Sequence, residues 1–487
     1  MAIRTKAKPS IKKKIFAIVL IAFAALILLV TAAVLVIWDR FNRPSFHSSD
    51  TSQMRTMDFT GIEMYPQSFA TDALYLVRMV ERTHPIFLLD GWLPDDYESI
   101  RDEFLLYAQT PDITTTEFAF AAARYITTLR DGHMTGANGI IKPIGEGDDD
   151  WIHAIYGGHF DIDWIAQDGR LFLLDEYGKA TDTEVIEIGG VPIYQVFAVV
   201  ERYYYAENEA DRQFGHNLFS RFGDVIERAG GEITNDTLQL TLNTGGILNT
   251  KYAPAGTGYA FFPTIEFIIR YEMMDDIFVI DLRHFSDGPH ITEVVQSIEA
   301  AIADGTRKFI VDLRGNGGGA SIAGQRLLEA MGLTVPSYGS MRRVSPLLID
   351  FMGWYLRPLL WFGVDYISSA PSVSRGNPDT DANNNPNNVF VSVLTDTASY
   401  SYATMMAVWV RDGGFGNIVG STSRNAPNNF GEILNFYLPY SQFYMTISCT
   451  KWLRPDVTGD PVNLLPDIMV DPGDALYAAL AYLRSLD

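Results

Sequence analysis

The sequence predicts a mixed α/β protein whose carboxy-terminal half is a mostly parallel sheet assembled from βαβ crossovers. Three observations predict it. Strand and helix patterns alternate from Asp276 to Val419, with helices of about three turns. The strand runs, such as Asp276-Ile-Phe-Val-Ile-Asp-Leu282, have the nearly continuous apolar pattern of a buried strand. Hydrophobic content of 47% with 13% aromatic residues is ample for a packed core, which excludes wholesale disorder, a collagen-like repeat and a small disulfide scaffold.

Across the 487 residues, 37 Lys+Arg stand against 59 Asp+Glu, a net charge of −22. Six of the cations fall in residues 1–14, so removing them leaves −28 on the rest. A body that acidic repels phosphate backbones, and no nucleic-acid partner is expected. The single cysteine, Cys449, allows no internal disulfide and no cysteine-based zinc site.

Residues 1–14 are a basic tail. Ile15 to Trp38 follow as 24 residues without a charge. At 1.5 Å per residue such a run spans about 36 Å, against a hydrocarbon core of about 30 Å. It is expected to be one transmembrane helix in contact with the lipid bilayer. The positive-inside rule keeps 1–14 in the cytoplasm and puts the remainder outside. A cleaved signal peptide would have a shorter apolar core and a small-x-small site, where this flank reads Ile37-Trp38-Asp39-Arg40. Residues 39–66 read as a linker.

Residues 67–149 read as a helical region. Thr114-Thr-Thr-Glu117 is a capping box, followed by Phe118, Ala122, Tyr125 and Leu129 along one helix face. The helix runs into Leu129-Arg-Asp-Gly-His133, which sets His133 in a turn just beyond its end. Residues 150–258, with short alternating runs between glycine pairs, read as a β-rich module. Within it His153, His159, Asp161 and Asp163 lack metal-site spacing and read as a polar loop beside a strand. Residues 259–487 hold the crossover core. Its strands are expected at 276–282, 308–313, 389–394 and 417–419, and its helices at 292–303, 321–331, 402–411 and 474–486. An insertion at 333–388 separates two of them. Its aromatic stretch 347–367 is broken by charges and proline, so a second span is not expected.

Reactive loops in such sheets sit at the carboxyl ends of the strands. One end reads Asp312-Leu-Arg-Gly-Asn-Gly-Gly-Gly319, whose backbone can aim several N–H groups at one point, as an oxyanion hole requires. A tight turn without a ligand explains it as well. A phosphate cradle is disfavoured by the absence of Gly-Lys-Ser/Thr and by the acidic body. The other end reads Leu394-Thr-Asp-Thr-Ala-Ser399-Tyr-Ser401 with a helix directly after it. A serine there is either a nucleophile in the positive potential of the helix or its cap.

Together these segments resemble the carboxy-terminal processing and tail-specific serine peptidases, including the tricorn core and relatives of the Ser-His type. Asp312 to Gly319 is similar to that family's signature, and Thr397-Ala-Ser399 to its nucleophile turn, with Ile418-Val-Gly420 beyond. Leu129-Arg-Asp-Gly-His133 looks like the histidine segment, and Leu465-Pro-Asp-Ile-Met-Val470 like the closing strand. The resemblance covers about residues 67–487. It implies a ClpP/crotonase-like catalytic core, a degenerate PDZ-like module around Val185 to Pro192, and hydrolysis of extracytoplasmic peptides or proteins without metal or organic cofactor. It implies Ser399 as nucleophile, with Ser401 as the alternative, and His133 as general base. Asp460 would orient His133, with Asp456 as understudy, and the amides of Gly317, Gly318 and Tyr400 would form the oxyanion hole.

Two departures bear on mechanism. Where lysine-type members carry a catalytic Lys, this chain reads Gly420-Ser-Thr-Ser-Arg-Asn-Ala426, and a guanidinium does not serve as a base. Tyr402 stands where members often have Glu. A peptide-binding scaffold that has lost activity and an esterase using the same groups are the competing readings. Oligomeric state is not legible.

Overall fold

The computed structural model describes residues 68–134, 142–143, 158–160, 162–176, 179–254, 269–373 and 384–486. The apolar run 15–38, the linker 39–66 and most of the polar loop around His153 lie outside them. Among the described residues no helix is long and apolar enough to cross a membrane.

The helical region contains Phe69–Thr83, Tyr97–Tyr107 and helix α1, Thr115–Thr127. The capping box forms as expected, with the Thr114 hydroxyl accepting from the Glu117 N–H and the Glu117 carboxylate accepting from the Thr114 N–H. Phe118, Ala122 and Tyr125 turn the apolar face of α1 inward, and Leu129 is buried just past its end. Residues 158–254 contribute an eight-stranded antiparallel sheet whose long strand is Ala180–Ile188. Two helices of this region, α2 (Ile193–Tyr203) and α3 (Glu209–Phe219), are joined by residues 204–208.

The core sheet has six strands: β1 (Ile269–Met274), β2 (Ile277–Leu282), β3 (Lys308–Asp312), β4 (Phe390–Thr395), β5 (Gly416–Gly420) and β6 (Ile468–Met469), lying side by side in that order. β2 to β6 are parallel, and β1 is an antiparallel edge strand that joins β2 through a tight turn with Asp275 at φ 58°. Helices α4 (Pro289–Ala303), α5 (Ser321–Ala330), α6 (Tyr402–Asp412) and α7 (Ala475–Arg484) cover it. Residues of alternate parity on the strands face opposite layers. Phe278, Ile280, Phe309, Val311, Val391 and Val393 pack with side chains of α4, α5 and α6, while Ile277, Val279, Ile310, Leu394 and Val419 pack with α7. Burial on both faces is why these strands read as unbroken apolar runs.

A third sheet, not anticipated from the sequence, is antiparallel. It joins Gly339–Arg343, Tyr366–Ser369, Phe430–Tyr437 and Phe443–Leu453, with Lys142–Pro143 at one edge. Two of its strands come from the insertion. Residues Pro346–Val364 separate from this body as part of a second compact unit. They form helix Pro346–Met352 and helix Arg357–Trp361 around one 3-10 turn, with Trp354, Trp361 and Phe362 exposed.

Candidate functional site

The turn after β4 is organised by Asp396. Its carboxylate accepts from the N–H groups of Ala398 and Ser399 (3.0 and 2.9 Å) and reaches across to the Gly315 N–H of the glycine-rich turn. Ser399 extends that clamp. Its hydroxyl donates to the Leu313 carbonyl at 2.8 Å and accepts from the Asp396 N–H at 3.0 Å, and the residue has no exposed surface. A hydroxyl so engaged ties two loops together. The expectation for this residue was a nucleophile; here its hydroxyl is bonded on both sides.

Ser401 has the opposite surroundings. It stands at the N-cap of α6 with φ 53° and ψ −117°, on the left-handed side that non-glycine residues seldom adopt. Its hydroxyl makes no cap bond, and the residue is half-buried rather than enclosed. A strained serine on a sharp strand-to-helix turn, at the positive end of a helix, is the geometry that projects a nucleophilic hydroxyl. Gly318 (φ +106°) lies directly against it. A Cβ there would fall 2.8 Å from the Ser401 Cβ and 3.1 Å from the Tyr402 nitrogen, so only glycine admits this approach.

The amides around the serines divide accordingly. Tyr400 N–H donates to the Asn316 carbonyl (2.9 Å) and Gly318 N–H to the Asn316 side chain (2.8 Å), while the Asn316 amide is anchored on the Leu282 carbonyl. Two of the three expected oxyanion donors are therefore already satisfied internally. The N–H groups of Gly317, Gly319 and Tyr402 have no acceptor among the described residues. The Tyr402 ring packs near Phe285 and Trp409. Its main-chain N–H stands at the first position of α6.

His133 occupies the turn beyond α1. Its N–H donates to Asp131 Oδ1 (2.8 Å) and its carbonyl accepts from Thr446 of strand Phe443–Leu453 (3.1 Å). The imidazole lies against the Tyr400 ring, centroids 4.8 Å apart, with Nδ1 3.4 Å from the tyrosine hydroxyl and 3.9 Å from Asp131 Oδ1. Burial lowers its pKa, Asp131 opposes that, and Arg424 adds to it. The ring is thus neutral at neutral pH, as a base must be. No hydrogen bond joins it to Ser399 or Ser401.

Four carboxylates were candidates or prove to be neighbours. Asp460, expected to orient His133, is exposed and turned back on its own loop, accepting from the N–H groups of Val462 (2.8 Å) and Asn463 (3.0 Å). Asp456 caps Thr458. Neither is paired with His133; a surface turn that satisfies its own amides leaves no carboxylate to spare. The nearby carboxylates are instead Asp131 and Glu207. Asp131 is fully buried and bonded to His84 Nε2 at 3.0 Å; burial raises its pKa, but His84 and His133 more than offset this and the net shift is downward. Glu207 comes from the α2–α3 connection, and burial first, then Asp211, pushes its carboxyl up to about 7. Nothing in Tyr204-Tyr-Ala-Glu207-Asn reports a partner 193 residues away, so Glu207 is not legible in the sequence.

Asp131, His133 and Glu207 each offer one atom within 4.8 Å of the others, close enough to surround a cation. Every carboxylate oxygen of the set already receives an N–H or O–H donor, so the cluster is a hydrogen-bonded one. Arg424, in the stretch where a catalytic lysine was sought, stacks on the rings of Tyr400 and Phe214 (4.2 Å each) and pairs with Asp211.

Residues 276–470 match the family described as peptidase family S41. No curated protein matches the chain. Among solved structures, mature CPAF aligns with a TM-score of 0.57 at 15% identity, covering 86% of this chain and 95% of that one. Mature CPAF complexed with lactacystin gives 0.56 at 15% identity, over 86% and 97%. The photosystem II D1 C-terminal processing protease gives 0.41 at 12%, over 84% and 94%. At these identities the likeness to mature CPAF is one of fold.

Proposed function

We propose that this chain, whose residues 276–470 belong to peptidase family S41, is a serine-type peptidase of the C-terminal processing kind with Ser401 as nucleophile and His133 as general base. The carrying observation is the contrast at the β4–α6 turn. Ser399 spends its hydroxyl on Leu313, while Ser401 holds a strained, uncapped position directly before the unpaired Tyr402 N–H.

In this reading Ser401 Oγ attacks the peptide carbonyl carbon as its proton passes to His133 Nε2. The tetrahedral oxygen is received by the Tyr402 N–H and an unpaired amide of the glycine-rich turn, Gly317 or Gly319. Donors of this type contribute about 3–4 kcal/mol each to the transition state. His133 then protonates the leaving amine, and water repeats the cycle on the acyl-enzyme. Asp460 has no part in it. The apolar run 15–38 would anchor the peptidase in a membrane with residues 67–487 on the extracytoplasmic side, its substrates peptides or proteins close to the bilayer.

A scaffold that has lost activity is favoured by one observation, the missing hydrogen bond between Ser401 and His133. Labelling with a fluorophosphonate separates the two readings. Stoichiometric modification that vanishes in Ser401→Ala and His133→Ala but persists in Ser399→Ala supports the peptidase. Absence of labelling in the wild-type chain supports the scaffold, and modification that survives Ser401→Ala but not Ser399→Ala would return the nucleophile to Ser399.

A further inference from the structure

We propose that Glu207 is the positioning carboxylate of His133 and acts on it through the Tyr400 hydroxyl, an inference that rests on His133 being the base of the proposed peptidase.

The geometry is a chain of three groups. The Tyr400 hydroxyl donates to Glu207 Oε1 at 3.3 Å, and the same oxygen lies 3.4 Å from His133 Nδ1. With its proton directed at the carboxylate, the tyrosine oxygen is an acceptor toward the imidazole. Nδ1 then carries the ring proton, and Nε2, which has no partner among the described residues, keeps its lone pair for the serine. These distances are long for hydrogen bonds, as catalytic contacts are in the absence of substrate.

Each member of the chain is fixed from a different part of the fold. Glu207 Oε1 also accepts from the Gly132 N–H (3.1 Å), and Oε2 accepts from the Asn425 side chain (2.6 Å) and the Ala426 N–H (2.8 Å). The Tyr400 ring is held by the Arg424 guanidinium on its face, 4.2 Å from the centroid, and Arg424 is itself paired with Asp211. Gly132 records the same contact in the sequence. A Cβ at that position would lie 2.3 Å from the Tyr400 hydroxyl and 2.6 Å from Glu207 Oε1, so the residue before His133 must be bare for both groups to reach the ring.

The other carboxylates do not compete. Asp131 Oδ1 is 3.9 Å from Nδ1 and takes the His133 N–H, its Oδ2 is bonded to His84, and Asp460 faces its own turn. Residue 207 also lies outside the S41 match, so the core would borrow its third group from the α2–α3 connection. Orientation through an intervening hydroxyl would serve the purpose of a direct carboxylate: one tautomer before proton transfer, and a nearby negative charge for the imidazolium after it.

The test combines kinetics with the ring nitrogens of His133. The full-length chain, labelled with 15N-histidine, is compared with Tyr400→Phe, Glu207→Gln and the double variant, the His133 signals being those lost in His133→Gln. Tyr400→Phe removes one oxygen and keeps the ring under Arg424, so folding is preserved, whereas Glu207→Gln alters the acceptor of the Asn425 side chain. Expected are an Nδ1–H tautomer in the wild type, a shift toward Nε2–H in Tyr400→Phe, and a fall in kcat of roughly 10²-fold with KM within about twofold. The double variant should be no worse than Tyr400→Phe alone, since the two groups act as one unit. An unchanged tautomer together with unchanged kcat in Tyr400→Phe, or losses that multiply in the double variant, would overturn the proposal. If the wild-type chain proves unreactive, the hydrolase reading fails by itself. The ring nitrogens then decide the positioning: a tautomer shift in Tyr400→Phe upholds it and none refutes it.

Discussion

At the scale of single residues, the two serines of the β4–α6 turn carry opposite thermodynamic signatures. Ser399→Ala takes the acceptor from the part-buried Asp396 N–H and leaves the Leu313 carbonyl with only the Asn316 N–H, a loss of about 1–2 kcal/mol with fluorophosphonate reactivity retained. Ser401→Gly relieves a left-handed conformation worth about 1–3 kcal/mol while adding about 0.5–1 kcal/mol of unfolded-state entropy, so it should stabilise the fold by up to about 2 kcal/mol and abolish reactivity. Denaturation midpoints of both variants beside their labelling check the pair. Equal destabilisation by both would remove the physical distinction between them. The sequence displayed both serines; the Thr-Ala-Ser match pointed to Ser399, whereas the proposed nucleophile is Ser401. The expected start of the helix at Tyr402 makes Ser401 its N-cap residue, as found. Glu207 could not be found this way, since its contacts with Gly132, Tyr400 and Asn425 are none of them local.

At the scale of elements, the parallel core was legible because its strands are buried on both faces and its helices begin and end at recognisable residues. The expected helices at 321–331 and 402–411 appear as Ser321–Ala330 and Tyr402–Asp412. The third sheet was not legible. Phe443–Leu453 is largely buried and alternates poorly, and the insertion strands are short, Gly339–Arg343 half-buried and Tyr366–Ser369 exposed, so period-two patterning fails in all three. The glycine-rich turn was visible, but its internal division was not, because it depends on Asn316, whose side chain takes the Gly318 N–H and whose carbonyl takes the Tyr400 N–H of the next loop. That division predicts unequal responses. Gly318→Ala forces a Cβ against Ser401 in a conformation foreign to alanine and should cost more than about 2 kcal/mol and remove reactivity. Gly317→Ala meets nothing within 4 Å and should stay within about 0.5 kcal/mol of wild type. Thermal unfolding of the two variants checks this, and similar losses at both positions would contradict the close approach of the turn to Ser401.

At the scale of the whole molecule, the acidic balance of the chain conceals a buried set of charges behind the site, and two of them give stability an unusual pH profile. Burial pushes the Glu207 carboxyl up to about 7 from its ordinary 4.5. Its neutral form is therefore favoured by folding, and the stabilisation it gives is complete below about 4.5 and lost as pH rises through about 7. Lys451, whose ammonium lies over Trp92 and Phe430 and donates to the Asn428 carbonyl, is pushed down to about 8 from 10.5, again chiefly by burial. The stabilisation from its neutral form is complete above 10.5 and lost as pH falls through about 8. Between 7 and 8 both contributions are gone, so this pair places a trough there with a rise on its alkaline side. The rise is readable up to about pH 9, beyond which the buried thiol of Cys449, raised to about 12, begins to act in the opposite sense. Denaturation midpoints at pH 7.5 and 9 should show the wild type more stable at the higher value. Lys451→Met keeps the apolar stem without the ammonium. It should erase that difference and stabilise the fold at pH 7.5 by about 1–2 kcal/mol, less than the full burial cost because Glu207 and Asp131 attract the charge. A variant that is weaker at pH 7.5 would mean that this attraction outweighs desolvation, and that the lysine left outside the catalytic step holds the carboxylates beneath the base in place.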